Sequence, residues 1–140
     1  MVRGQTADTS LVPDDAVEDL KSQMRGELLR PGDDGYDVAR QVRNAIFDRS
    51  PALIARCAGV ADVIAAVNFA RAHSLLTAVR AGGHSAAGYG TCDGGLLVDL
   101  SGMRGIRVDP VRQTGRVQGG ALWHDLDHET AAFGLAVTGG

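Results

Sequence analysis

A histidine inside a glycine-dense turn is the feature of this sequence with the clearest chemical potential. Residues 80–85 read Arg-Ala-Gly-Gly-His-Ser, and further glycines follow within ten positions. Adjacent glycines allow backbone conformations closed to other residues and let a ligand lie directly against main-chain N–H groups. Consecutive N–H groups in such a turn form a concave set of donors that can hold a diphosphate without a lysine. With a nucleophilic imidazole at its edge, the turn predicts a phosphate-bearing cofactor whose reactive ring lies within reach of His84.

Strand and helix patterns before the turn predict a β-α-β unit. Residues 52–56 and 76–80 are short apolar runs typical of buried strands. Residues 59–73 between them have helical spacing, with Asp62 in the favourable first turn. Two strands joined by one helix predict a parallel pair. The predicted inward face of the helix consists of Val60, Val63, Ile64 and Val67.

A leader and a further helix are predicted upstream of this unit. The first residues, up to Asp15, are polar, and helical spacing then runs from Asp14 or Asp15 through Leu28. Pro31 and Gly32 end the predicted helix. Residues 1–30 are therefore expected to form an N-terminal leader and helix.

Short strands are predicted downstream of the turn, over residues 95–100, 106–109 and 114–118. A helix follows over residues 121–133, and residues 135–137 resemble a strand that enters a last glycine turn. The predicted fold is α+β, a β-α-β unit followed by a small mixed sheet with flanking helices. Because the sequence stops on that turn, we expect it to be truncated at its C-terminus.

Composition excludes several classes of function. Glycine accounts for 19 of 140 residues, against a usual share of about 7%, and these glycines cluster in turns rather than in a linker. Aromatic content of 4% and a net charge of −3 argue against binding to nucleic acid. No apolar run approaches the roughly 18 residues of a membrane span, and no secretory signal is evident. A cytoplasmic location is expected, with Cys57 and Cys92 as free thiols.

Other polar residues have simpler interpretations than chemistry. His124 and His128 are four apart on the last predicted helix, as in zinc sites, but no third ligand is evident. A solvated helix face is the favoured interpretation, and a metal-binding module is the alternative. Asp99 and Asp109 end strands and are expected to cap turns. No lysine follows the glycine turn, so nucleotide hydrolysis is unsupported.

The ordered set of motifs resembles a known family. From about Tyr36 onward the sequence is similar to the N-terminal part of the flavin-binding domain of FAD-linked oxidases of the vanillyl-alcohol oxidase, or p-cresol methylhydroxylase (PCMH), type. The berberine-bridge-enzyme and 6-hydroxynicotine-oxidase branch is the most similar. The segments that carry the resemblance are 51–57, 61–63, 69–71, 80–85, 93–101, 103–104, 108–110, 119–120 and 134–136.

This resemblance implies FAD as the cofactor and specific roles for the turn. His84 matches the histidine that is joined covalently to the 8α carbon of the flavin. Gly82, Gly83 and the N–H groups of His84 and Ser85 match the cradle of the FAD diphosphate. The remaining residues expected to line FAD are Arg80, Ala81, Gly88, Tyr89, Ser101, Gly119, Gly120, Gly139 and Gly140.

Some positions depart from the family pattern. Ala81 stands where the family often has glycine, so a positive φ there would be costly. Phe133 stands where histidine is common, and the cysteine of bicovalent members would lie beyond Gly140. Residues 31–140 are thus expected to be an FAD-binding domain, in its N-terminal part. No catalytic base and no metal ligand is nominated within it.

The resemblance implies an FAD-dependent oxidoreductase. Its flavin would accept a hydride from a small alcohol- or amine-type substrate and pass the electrons to oxygen or another acceptor. The alternative is a non-catalytic fragment or partner subunit that folds around the same core without flavin.

Overall fold

The computed structural model describes residues 12–139, and Gly140 and residues 1–11 lie outside them. The described chain forms a four-stranded sheet, a two-stranded sheet and four helices. In chain order the elements are α1 (Asp14–Gln23), β1 (Glu27–Leu29), α2 (Tyr36–Ala39), β2 (Leu53–Arg56), α3 (Val60–Ala72), β3 (Thr77–Arg80), β4 (Leu96–Asp99), β5 (Ile106–Asp109), β6 (Thr114–Val117) and α4 (Trp123–Ala131).

The larger sheet has the strand order β1-β2-β4-β3. Strands β2 and β3 both run parallel to β4, and β1 is antiparallel to β2. The two strands of the predicted β-α-β unit are therefore parallel, as expected, but they are not neighbours. Strand β4 separates them because its apolar run is buried on both faces, which suits only a central position.

Each face of this sheet packs against its own apolar layer. Leu53, Ala55, Leu96 and Val98 face α1 and α3. The alternate residues Ile54 and Leu97 face the other side, among Leu29, Tyr36, Ala78 and Cys92. This division follows from the two-residue period of a strand. It makes the sheet the centre of the core, with the loops at its ends exposed.

Helix α3 presents a different face to the sheet from the predicted one. Asp62, Ala66 and Ala70 are buried, whereas Val60, Ile64 and Val67 are about half exposed or more. Alanine side chains let the helix lie close to the sheet, and Asp62 accepts main-chain hydrogen bonds there. The prediction holds for Val63, which is partly buried against the core, and is wrong for Val60, Ile64 and Val67, because it ranked the largest apolar residues as the inward ones.

The upstream helix is shorter than predicted. It ends at Gln23, and Leu28 lies in β1 beside β2. The chain turns at Gly26, where a Cβ would lie 1.8 Å from the carbonyl oxygen of Arg56. Only glycine fits so close to a neighbouring strand. At the other end, residues 135–137 form no strand in the structure.

The predicted hairpin and last helix are both present. Strands β5 and β6 pair antiparallel, and Asp109 caps their turn by accepting hydrogen bonds from the N–H groups of Val111 and Arg112. Helix α4 packs on β5 and buries Leu126, but Leu122 and Trp123 are largely exposed. Within residues 12–139, none of the helices combines the length and apolar character that a membrane span requires.

Candidate functional site

The glycine turn lies at the carboxyl edge of the parallel strands. It begins directly after β3, and the loop that carries Ser101 begins directly after β4. The N–H of Leu100 donates to the carbonyl of Arg80 over 2.8 Å, which joins the two loops. Ligands of open α/β sheets commonly bind outside the carboxyl ends of the strands.

The main chain of the turn has open donors. Gly83 has a φ of +68°, which explains the requirement for glycine there. A Cβ on Gly82 would lie 3.0 Å from Cδ2 of His84. Within residues 12–139, the N–H groups of residues 82–85 donate to no protein acceptor. The turn thus has the donors and the free approach that a diphosphate requires.

The His84 side chain is exposed at a cavity of about 420 Å³. The cavity is lined by Arg43, Asn44, Gly83, His84, Ser85 and Ala86. An imidazole buried in apolar packing would contradict the flavin interpretation, and this one is open. Arg43 and Asn44 were not predicted, because they lie about forty residues before the turn and no local motif marks them.

The end of the turn is fixed by contacts with residues 47–49. Gly88 has a φ of +75°, and a Cβ there would lie 2.5 Å from the ring of Phe47. Arg49 donates from Nη1 to the carbonyls of Gly88 and Thr91. The N–H of Tyr89 donates to Oγ of Ser85 over 3.1 Å. Tyr89 is 79% exposed, so its side chain is not packed into the core of residues 12–139 and is open to a ligand.

Arg80 and Ala81 lie where β3 passes into the turn. The guanidinium of Arg80 is buried and donates to the carbonyl of Gln41 and to the carboxylate of Asp99. Its charge is therefore used inside the protein rather than presented to a cofactor. Ala81 has no positive φ, so the expected strain from its Cβ does not arise.

The remaining predicted residues fall into two groups. Ser101 donates its N–H to Asp99 Oδ1 over 3.0 Å. Gly120 donates to the carbonyl of Met103 over 2.9 Å, and its neighbour Gly119 lies against the Leu100 side chain. Ser101 thus lies in the loop after β4, and Gly119 and Gly120, which follow β6, contact that loop. Gly139 instead packs against Trp123 of α4, and Gly140 lies outside the described residues.

The histidines of α4 are exposed and lie near charged neighbours. Arg104 donates to both carboxylate oxygens of Asp125 and lowers the pKa of that carboxyl. His128 lies 3.4 Å from Glu129. Among residues 12–139, no three His, Cys, Asp or Glu side chains are placed to share a metal ion.

The two cysteines lie in different layers of the core. Cys57 packs on the side of α3 and Cys92 on the opposite side of the sheet, and both are free thiols. Burial raises the pKa of Cys57 to about 11 and also raises that of Cys92. Neither thiol is a reactive group of the site.

Comparison with known proteins identifies the family. Residues 51–139 match the FAD binding domain family. The chain belongs to this family. The predicted resemblance and the α+β fold are confirmed, and FAD is the cofactor of the domain. The matched segment contains all but one of the predicted site residues, since Gly140 lies just after it.

Specific relatives support the assignment to FAD-linked oxidases. The chain is 38% identical to (R)-6-hydroxynicotine oxidase of Paenarthrobacter nicotinovorans over 84% of its own length and 26% of the relative's. The structure of 6-hydroxy-D-nicotine oxidase from Arthrobacter nicotinovorans superposes with a TM-score of 0.76 and 39% identity, covering 81% of this chain and 25% of that one. A BBE-like protein of Physcomitrella patens gives 0.66 and 26%, covering 72% and 22%. The chain thus spans about a quarter of these relatives.

Proposed function

We propose that the chain binds FAD covalently through His84 and serves as the flavin-binding part of an oxidoreductase. The single observation that carries the proposal is the placement of an exposed imidazole beside a turn whose four N–H groups have no acceptor within residues 12–139. A phosphate-bearing cofactor would satisfy those donors and would bring its ring system near the imidazole.

The open N–H groups of residues 82–85 would hold the diphosphate. Gly83 turns the chain there with a positive φ, the kind of turn in which successive N–H groups can form a concave set of donors. Arg43 lines the same cavity and contributes the positive charge that favours an anionic group. Gly82 keeps the approach open, since a side chain there would meet His84.

His84 would form the covalent link. Attachment would form one bond between an imidazole nitrogen and the 8α carbon and would break one N–H and one C–H bond. The two electrons and two protons released would pass to oxygen, giving hydrogen peroxide. When bound, the flavin supplies the hydride and electron-transfer chemistry, and the protein supplies attachment and orientation.

The proposed reaction of the whole protein is the oxidation of a small alcohol- or amine-type substrate, with oxygen or another acceptor receiving the electrons. This part rests on the family and on relatives named as oxidases and FAD-linked oxidoreductases. No residue among 12–139 is assigned as a catalytic base.

Acid precipitation of the purified chain tests the proposal. After expression with FAD present, the wild-type precipitate should be yellow, because a covalent flavin survives denaturation. His84→Ala should give a colourless precipitate, and His124→Ala, which removes another exposed histidine, should stay yellow. A colourless wild-type protein that FAD cannot reconstitute would favour the alternative of a fragment or partner subunit without flavin.

A further inference from the structure

A buried carboxylate with an arginine on each side lies at the carboxyl edge of the sheet. The register aligns Asp99 of β4 with Arg56 of β2 and Arg80 of β3. The Asp99 side chain is 2% exposed, whereas the Arg56 side chain is 48% exposed. The three residues end the three parallel strands, and the loops after Arg80 and Asp99 belong to the candidate site.

The two arginines beside Asp99 have different hydrogen-bond partners. Arg80 donates from Nη2 to Asp99 Oδ2 over 2.8 Å and from Nη1 to the carbonyl of Gln41, also over 2.8 Å. Arg56 Nε lies 3.8 Å from Asp99 Oδ2, and its Nη1 donates to Glu27 instead. Only Arg80 therefore links the sheet to a separate loop.

Three segments of the site meet at the Arg80 guanidinium. The carbonyl of Gln41 accepts from it, and two residues later the N–H of Arg43 donates to the carbonyl of Gly83 over 3.3 Å. Asp99 accepts from the guanidinium on Oδ2 and from the N–H of Ser101 on Oδ1. The same buried pair thus contacts the segment before the cavity and the loop after β4.

The stem of the Arg80 side chain also lies beneath the turn. Its Cδ is 3.5 Å from the position that a Cβ on Gly83 would occupy. Burying two charges costs desolvation, and replacing such a pair with apolar residues is often neutral or stabilising. A buried pair that joins three segments of a ligand site is better explained by geometry than by stability.

We propose that Arg80 is a positioning residue for His84 and not a ligand of the cofactor. It holds segment 41–44 and the loop at residues 99–101 against the turn, so that the open N–H groups of residues 82–85 and the imidazole keep their relative places. The inference deepens the proposed function and rests on it for the identity of the ligand. We call this set of Arg80 contacts the clamp. The clamp is a property of the protein and can be measured without flavin.

The full chain with Arg80→Lys tests the clamp, and Arg56→Lys is the matched control. Lysine keeps the charge beside Asp99, but a single ammonium on a flexible stem does not reproduce the planar fork that reaches two acceptors at once. The readout is amide-resolved hydrogen exchange. The reporters are the N–H groups of Arg43 and Gly88, which donate within the site, and the N–H of Leu75, which donates at the far end of α3.

In Arg80→Lys, exchange at Arg43 and Gly88 should become about tenfold faster, the factor expected for the loss of one buried hydrogen bond. Leu75 should be unchanged, and Arg56→Lys should change none of the three. The proposal is overturned if Arg80→Lys leaves the site reporters within twofold of wild type. It is also overturned if all three amides accelerate equally, which would indicate a general loss of stability.

Flavin uptake gives a second readout that separates this inference from the proposed function. In the presence of FAD, acid-stable flavin should accumulate about tenfold more slowly in Arg80→Lys than in wild type or Arg56→Lys. Equal rates in all three would overturn the clamp. If wild type takes up no flavin, the proposed function fails, and hydrogen exchange still decides whether Arg80 positions the turn.

Discussion

The loops after β2 and β3 leave the same edge of the sheet, but they differ in whether their main-chain N–H groups donate to an acceptor in the described chain. After β2, the N–H of Ala58 donates to Asp62 Oδ2 over 2.8 Å. The same carboxylate accepts from the N–H groups of Arg25 and Gly26, each over 3.0 Å. After β3, the N–H groups of residues 82–85 have no acceptor within residues 12–139.

The two loops therefore form two kinds of anion site, one filled by a carboxylate of the protein and one open to a ligand. The first site contains its own anion, because Asp62 is 1% exposed and is surrounded by three backbone donors. The second site has comparable donors and, within residues 12–139, no carboxylate that accepts from them. An anion from outside the protein could accept hydrogen bonds from the glycine turn, as Asp62 does from the N–H groups around it. A diphosphate is the anion that the family implies.

The largest change in the free energy of unfolding is expected when a side chain is added at Gly26. In Gly26→Ala the new Cβ would lie 1.8 Å from the carbonyl oxygen of Arg56, so the backbone must move. We expect a loss of about 3 kcal/mol in the free energy of unfolding, measured by urea denaturation. Gly59→Ala is the control, because its Cβ would meet nothing within 4 Å; since alanine is a poorer N-cap than glycine, it should cost no more than about 1 kcal/mol.

Removing the charge from the internal anion should have the next largest effect. Asp62→Asn places an amide NH₂ against backbone donors, and we expect a loss of about 2 kcal/mol in the free energy of unfolding at pH 7. An equal loss in Asp127→Asn, which changes an exposed carboxylate, would show that the effect is not specific to the closed site.

The pH dependence of the same variant sharpens the comparison. Burial alone would raise the pKa of Asp62, but the N–H donors of Arg25, Ala58 and Gly26 together lower it below its ordinary value. The stabilisation is therefore complete above the ordinary pKa of about 4 and is lost as pH falls through the lowered value. The difference between wild type and Asp62→Asn should shrink in that acid range, and a difference that is constant down to pH 2 would contradict this assignment.

A substitution in the open turn should affect ligand binding more than stability. Gly83→Ala forces a Cβ onto a residue with a φ of +68°, which should lower the free energy of unfolding by about 1 kcal/mol. It should also abolish acid-stable flavin, since the turn can no longer keep its N–H groups aligned. Full flavin incorporation in this variant would show that the turn does not hold the diphosphate.

The smallest change in stability is expected from the addition of free pyrophosphate. Pyrophosphate at a concentration equal to its dissociation constant should stabilise the wild-type chain by about 0.4 kcal/mol, seen as a rise in melting temperature. The melting temperature of Gly83→Ala should rise less than that of wild type. A sulfate solution of the same ionic strength is the control. Equal responses in both proteins would place the anion elsewhere.

Much of this architecture was predictable from local sequence. The strands are short apolar runs, and the glycine turn is a local motif that indicated both the donors and the imidazole. Residues that act over long distances in the chain were not predictable. Asp62 suits the first turn of α3, but nothing local shows that the N–H groups of Arg25 and Gly26 donate to it.

The same limit applies to the candidate site. Arg43 contacts Gly83 across forty residues, and the pairing of Arg80 with Asp99 depends on the strand order, which places β4 between β2 and β3. The inward face of α3 was missed for another reason. Close packing favoured Ala66 and Ala70 over larger apolar side chains, so size and burial did not rank together.

The central claim is that the open turn binds a diphosphate while His84 bonds to the flavin ring. The most direct measurement is mass spectrometry of the wild-type chain, expressed with FAD, denatured in acid and digested into peptides. The expected result is a peptide containing His84 that carries the mass of FAD less two hydrogens. Flavin on a different residue, or on no peptide at all, would contradict the account.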